Sequence, residues 1–137
     1  MRRAVAASLI VLAACGGGPS KVDFVARVEA LCRRAAAEQA ALPEVLSADE
    51  YAGYLGGLAE VVRKERRAVA RVDAPADGRD EQRALLRSLD RVARAADRFA
   101  TATDGFSQQE QLDAAALARH EADGKLVAYG FEDCARS

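Results

Sequence analysis

RDEQRALLRSLDRVARAADRFATAT, Arg79 to Thr103, is the stretch whose reading decides the fold. At 100° per residue, Leu85, Leu86, Leu89, Val92, Ala93, Ala96, Phe99 and Ala100 fall within an arc of about 140°. Arg79, Arg83, Arg87, Arg91, Arg94 and Arg98 fall on the opposite side. One apolar and one charged face, sustained over several turns, predict a helix with one side buried. Such a helix needs partners, and the flanking segments supply them.

Upstream, Ala74-Pro75-Ala76-Asp77-Gly78 reads as a turn. Before it, Ser47-Ala48-Asp49-Glu50 is a capping box that opens a second helix. Its stripe is Tyr51, Leu55, Leu58, Val62, Val69 and Val72, and Glu65 falls in line with it, weakening the seam. Gly53, Gly56 and Gly57 each cost roughly 1 kcal/mol against alanine, which implies close packing or a bend. A first helix is predicted over Lys21–Ala41. Ser20 and Asp23 suit its start, Phe24, Val28, Leu31 and Ala35 form its face with Cys32 beside it, and Leu42-Pro43 ends it.

Downstream, Asp104-Gly105 is a turn dipeptide. Ser107-Gln108-Gln109-Glu110 opens a fourth helix that runs to about Tyr129, with Leu112, Ala116, Val127 and parts of the 119–126 stretch facing inward. Gly130 suits a left-handed cap, and Phe131 stands where an apolar contact seals such an end. Four helices with short loops predict an all-α, up-down-up-down antiparallel four-helix bundle over residues 21–137. Composition agrees: 137 residues suit one domain, half are apolar, aromatics are 5% and tryptophan is absent.

The N-terminus has a different character. Met1-Arg2-Arg3 precedes an apolar run, Ala4 to Ala14, too short for a spanning helix and suited to a signal peptide. It ends in Leu12-Ala13-Ala14-Cys15, which resembles the lipobox of a bacterial lipoprotein signal peptide. The resemblance implies removal of residues 1–14 and acylation of Cys15 with diacylglycerol. An ordinary secretory signal cut elsewhere would leave Cys15 incidental. Two hydrocarbon chains suffice for stable anchoring, and residues 15–20, the lipidated cysteine followed by Gly16-Gly17-Gly18-Pro19-Ser20, read as a flexible tether. The expected location is the extracytoplasmic face of the cell membrane, with the membrane as partner through the lipid on Cys15. Without Arg2 and Arg3 the chain keeps 18 basic and 21 acidic side chains, a net charge of −3, which argues against a nucleic-acid partner.

With Cys15 acylated, Cys32 and Cys134 remain, and export favours a disulfide between them over free thiols or a bond between chains. It would close a loop of roughly 100 residues, worth up to ~4–5 kcal/mol in the chain-entropy model. Cys32 lies ~16 Å along helix 1. An extended tail from Phe131 to Cys134 reaches about 13 Å, so the tail must fold back along that helix. FVARVEALCRRA (Phe24 to Ala35) together with YGFEDCA (Tyr129 to Ala135) resembles a family of small helical lipoproteins of high-GC Gram-positive bacteria. That resemblance carries no catalytic residues.

No catalytic constellation is legible, and no enzyme or cofactor is expected. His120-Glu121 lacks the second histidine of HExxH, since Gly124 stands there, and two distant thiols with one histidine make no metal set. Ser20, Ser47 and Ser107 read as caps. The triple glycine lacks the Lys-Ser or Lys-Thr of a phosphate loop. The arginine face is a candidate contact for headgroups or wall polymer, although Asp90 and Asp97 lie in its arc and are expected to neutralise Arg87 and Arg94. Tyr51, Tyr54, Leu58 and His120 are a candidate pocket. The leading expectation is an interaction or structural module contacting an envelope protein or wall component. The alternative is a small-ligand carrier.

Overall fold

The computed structural model describes residues 18–45, 47–101, 110 and 123–136. Among the described residues there are helices and turns and no strand. Helix α1 is Lys21–Ala40 and α2 is Ala48–Val69. A 3₁₀ turn, Ala76–Gly78, leads into α3, Arg79–Thr101. Helical residues 123–129 (α4) precede a short helix α5, Glu132–Arg136. Glu110 is also helical. The predicted opening of the fourth helix at Ser107, with Leu112 and Ala116, lies outside the described residues.

The starts follow local chemistry. The Ser20 hydroxyl accepts from the Asp23 amide at 3.1 Å. At α2 the full capping box forms, with the Glu50 carboxylate accepting from the Ser47 amide at 3.1 Å and the Glu50 amide donating back to the Ser47 hydroxyl. α1 stops one residue short of the expected Ala41, which becomes its cap ahead of Leu42-Pro43. The end of α2 is closed from another element: Gln82 Nε2 of α3 donates to the carbonyls of Val69 and Val72 at 2.9 and 2.7 Å. Terminal carbonyls have no partner within their own helix, so this side chain fixes how α3 follows α2.

Contacts set the helix directions. Leu42 lies against Gly57, and Lys64 Nζ pairs with Glu38 at 2.7 Å, so α1 and α2 are antiparallel. Tyr51 packs edge-on against Phe99, and Arg66 pairs with Asp90 at 2.6 Å, so α2 and α3 are antiparallel. The main core joins Phe24, Val28 and Cys32 of α1 to Val62 and Val69 of α2, Leu85 and Leu89 of α3, and Leu126, Phe131 and Cys134 of the C-terminal part.

Two expectations about the C-terminal part are corrected. Val127 is 49% exposed, while Leu126, one residue earlier and 100° around the helix, is 2% exposed. The helix end decides this phase. Gly130 takes φ 117°. The Phe131 amide donates to the Leu126 carbonyl at 2.9 Å and the Gly130 amide to the Val127 carbonyl at 3.0 Å. That is the Schellman pattern, which brings the residue after glycine onto the one five places earlier, here Phe131 and Leu126. The tail is also not extended: residues 132–136 form α5. α5 packs on α1, and the Cys32–Cys134 disulfide joins them with Cα atoms 5.0 Å apart.

The glycines of α2 behave differently from expectation. Only Gly57 has a close neighbour, with Leu42 Cδ2 3.0 Å from the place of a Cβ, while Gly53 and Gly56 face open space. The close approach sits at Gly78 instead. A Cβ there would meet the Tyr129 hydroxyl, Phe24 Cε1 at 3.0 Å and Pro75 Cγ at 3.1 Å.

Candidate functional site

Three places in the fold gather groups that could meet a ligand or partner, and the sequence points directly to two of them. The first is the tyrosine pair. Tyr51 and Tyr54, one turn apart on α2, stack at 6.1 Å between centroids. Tyr51 meets Phe99 of α3 at 5.3 Å. Both tyrosines pack on a small cluster of Leu55, Ala59 and Ala96. Leu58, one turn beyond Tyr54 on α2, packs on the same cluster and also lines a cavity that neither tyrosine lines. His120 lies outside the described residues.

That interior cavity is the second place. It follows from the break in the α2 stripe. Glu65 sits between Val62 and Val69 and is carried into the interior, 7% exposed. Ser88 is carried inward in the same way between Leu85 and Leu89 of α3. With Gln39 of α1 and Asp123 of α4 these side chains line a cavity of about 70 Å³, with Leu58 and Leu126 among its apolar walls. Both Glu65, which is buried, and Asp123, which is half-buried, have interaction partners, as a buried carboxylate requires. A water needs roughly 10–15 Å³ of such space, so the cavity suits a few waters. It is far below the ~300 Å³ at which drug-sized ligand pockets begin. Among the described residues no three His, Cys, Asp or Glu side chains group to hold a metal.

The third place is the outer side of α3. Arg79, Arg83, Arg87, Arg94 and Arg98 are exposed, and Arg91 is half-buried. The expected neutralisation along the helix does not occur as read. Asp90 pairs with Arg66 and Asp97 with Arg63, both on α2. The physical reason is direction. Both aspartates sit on the edge of the arc nearest α2, where an antiparallel neighbour brings arginines across to them. Arg83 pairs with Asp80 on its own helix.

Comparison with known protein families, curated proteins and solved structures returns no match.

Among the described residues two titratable groups are perturbed, both where the C-terminal part meets the first half. The Glu29 carboxylate accepts from the Asp133 amide at 3.1 and 3.0 Å, capping the start of α5 from α1. Burial there lifts its carboxyl above the ordinary glutamate value, and the Asp133 amide opposes this. Arg33 pairs with Asp133 at 2.7 Å alongside. Burial also lifts the Tyr129 hydroxyl above its ordinary value, with Asp77 and Glu81 adding to the rise. Lys21 Nζ lies 4.2 Å from the centre of that ring. These groups tie residues 129–133 to α1.

Sequence reasoning missed the polar cavity, although its signal was present. Glu65 in an apolar stripe and Ser88 between two leucines are polar residues at buried phases of the helix. The capping role of Glu29 had no local signal, because its partner is 104 residues away.

Proposed function

We propose that this chain is a lipid-anchored lipoprotein of the extracytoplasmic membrane face, and that its helical domain is an interaction or structural module of the cell envelope. The observation that carries the reading is the use of the cysteines. Cys32 and Cys134 are joined to each other, which leaves Cys15 as the one remaining thiol, at the end of a run shaped like a lipobox. A lone thiol at that position suits an acyl acceptor, and the short stretch to Ser20 leads straight into α1. No helix among the described residues is long and apolar enough to cross a membrane, and two acyl chains on Cys15 would supply the attachment.

The proposal includes the finer architecture. α1, α2 and α3 alternate in direction, and a fourth antiparallel helix opening at Ser107 and running through α4 to about Tyr129 would give an up-down-up-down bundle over residues 21–137. It also includes membership of the small helical lipoproteins of high-GC Gram-positive bacteria, on the cysteine and glycine spacing of the two ends. The module is read as non-enzymatic, with an envelope protein or wall component as partner and no nucleic acid. A carrier role is the second reading, favoured by the cavity beside Glu65 and Ser88, whose size restricts any cargo to a few atoms.

The test is metabolic labelling of producing cells with an alkyne-bearing fatty acid. The wild-type chain is expected to take up label in the membrane fraction, and a Cys15→Ala variant to take up none. Label that persists in Cys15→Ala, or is absent from the wild type, overturns the proposal.

A further inference from the structure

On the outer side of α3, Arg83, Arg94, Arg87 and Arg98 fall within an arc of about 60°. All four are exposed. The cross-helix pairs withdraw Asp90 and Asp97 toward Arg66 and Arg63 of α2. Among the described residues Arg87, Arg94 and Arg98 are then left without an ion-pair partner, while Arg83 retains Asp80. The arc holds no apolar side chain; its other members are Thr101 and Asp80. A row of cations with nothing apolar among them does not suit a protein groove. It matches a flat surface of negative charge.

The chain's N-terminal end says which surface. Gly18 and Pro19 share a shallow groove with Arg79 and Arg83 at the start of α3. From Gly18 back to Cys15 the chain spans at most about 11 Å. A lipid on Cys15 therefore holds the first turn of α3 at the level of the headgroups. α3 can then stand upright, with Arg98 about 28 Å beyond Arg79 along the axis, or lie flat. We infer that α3 lies flat on a bilayer containing anionic phospholipid, with Arg83, Arg87, Arg94 and Arg98 against the headgroup phosphates. This deepens the lipid-anchor reading and rests on it.

The experiment uses the far end of α3. The chain has no tryptophan, so Thr101→Trp introduces a single fluorophore on the arginine side. The processed, lipidated protein is extracted from the envelope of producing cells and reconstituted into vesicles. One set contains phosphatidylcholine alone and the other an equal mixture with phosphatidylglycerol, both with a headgroup-attached quencher. Strong quenching is expected in the phosphatidylglycerol vesicles, with much weaker quenching in phosphatidylcholine and at high salt. Neutralising each arginine should lower the docked-to-undocked ratio several-fold, on the order of 100-fold for Arg87→Gln, Arg94→Gln and Arg98→Gln together. Protein that floats with both vesicle types but gives equal, weak quenching has α3 upright or turned toward another partner, which overturns the inference and leaves the anchor standing. Protein that floats with neither overturns the anchor and the inference together.

Discussion

Gly78 is the most closely confined of the described glycines, and its replacement by alanine measures how closely the C-terminal part is fitted to the first half. The new methyl would meet Phe24 Cε1 at 3.0 Å and Pro75 Cγ at 3.1 Å, with the Tyr129 hydroxyl closer still. Phe24 is wholly buried and pinned edge-on by Phe131 and Tyr129, so its ring has little room to yield. Overpacking of this kind costs about 1–3 kcal/mol. The φ of Gly78 is not in the left-handed region, so alanine also gains about 0.4–1 kcal/mol from the stiffer unfolded chain. The net expectation is a loss of about 1–2 kcal/mol. Tyr129→Phe removes the nearest atom, a hydroxyl with no hydrogen-bond partner among the described residues, and should itself be close to neutral. In that background the cost of Gly78→Ala should fall by about 0.5–1 kcal/mol. Urea unfolding of the four proteins of the cycle, disulfide intact, reads this directly. A Gly78→Ala protein as stable as wild type, or penalties that simply add, would refute the packing described here.

Other consequences concern the same end of the fold. Leu126→Ala should cost about 2–5 kcal/mol and Val127→Ala less than about 0.5 kcal/mol; the reverse order in urea unfolding would contradict the burial of Leu126 and the exposure of Val127. Reducing the Cys32–Cys134 bond should lower stability by up to ~4–5 kcal/mol, from loop closure over 102 residues, and an unchanged midpoint in reductant would contradict the bond's role. Glu29 binds its proton more tightly in the folded state, so its favourable contribution is complete below the ordinary value of 4.5 and is lost as pH rises through the higher folded value. Glutamine does not titrate, so the stability of wild type relative to Glu29→Gln should fall across that window, and a difference independent of pH would count against the buried setting of Glu29.

Much of the fold was legible because its signals are local. Ser20, the Ser47–Glu50 box and Leu42-Pro43 mark helix ends through contacts within a few residues, and those ends lie where the sequence puts them to within a residue. The disulfide was legible because, of three cysteines, reading Cys15 as a lipid acceptor leaves only Cys32 and Cys134 to pair. The failures are all long-range choices. Asp90 had partners of equal spacing on α3, and only the arrival of α2 selects Arg66. Val127 was placed inward by continuing the helical period, whereas the fit of Phe131 to Leu126 fixes the phase from outside the helix. The tail's short helix depends on Glu29, a residue of α1. The candidate sites follow the same division: the arginine row is a property of one helix and could be read, while the cavity needs four segments to come together.

The account's central claim is that Cys15 carries the protein's attachment while Cys32 and Cys134 hold its two ends together. The most direct measurement is the intact mass, with N-terminal fragment ions, of the protein purified from the envelope of producing cells without reductant. The account predicts a chain that begins at Cys15, carries a diacylglyceryl group on that residue, and is two hydrogen atoms lighter than its reduced form. A chain that begins elsewhere, or an unmodified Cys15, would contradict it.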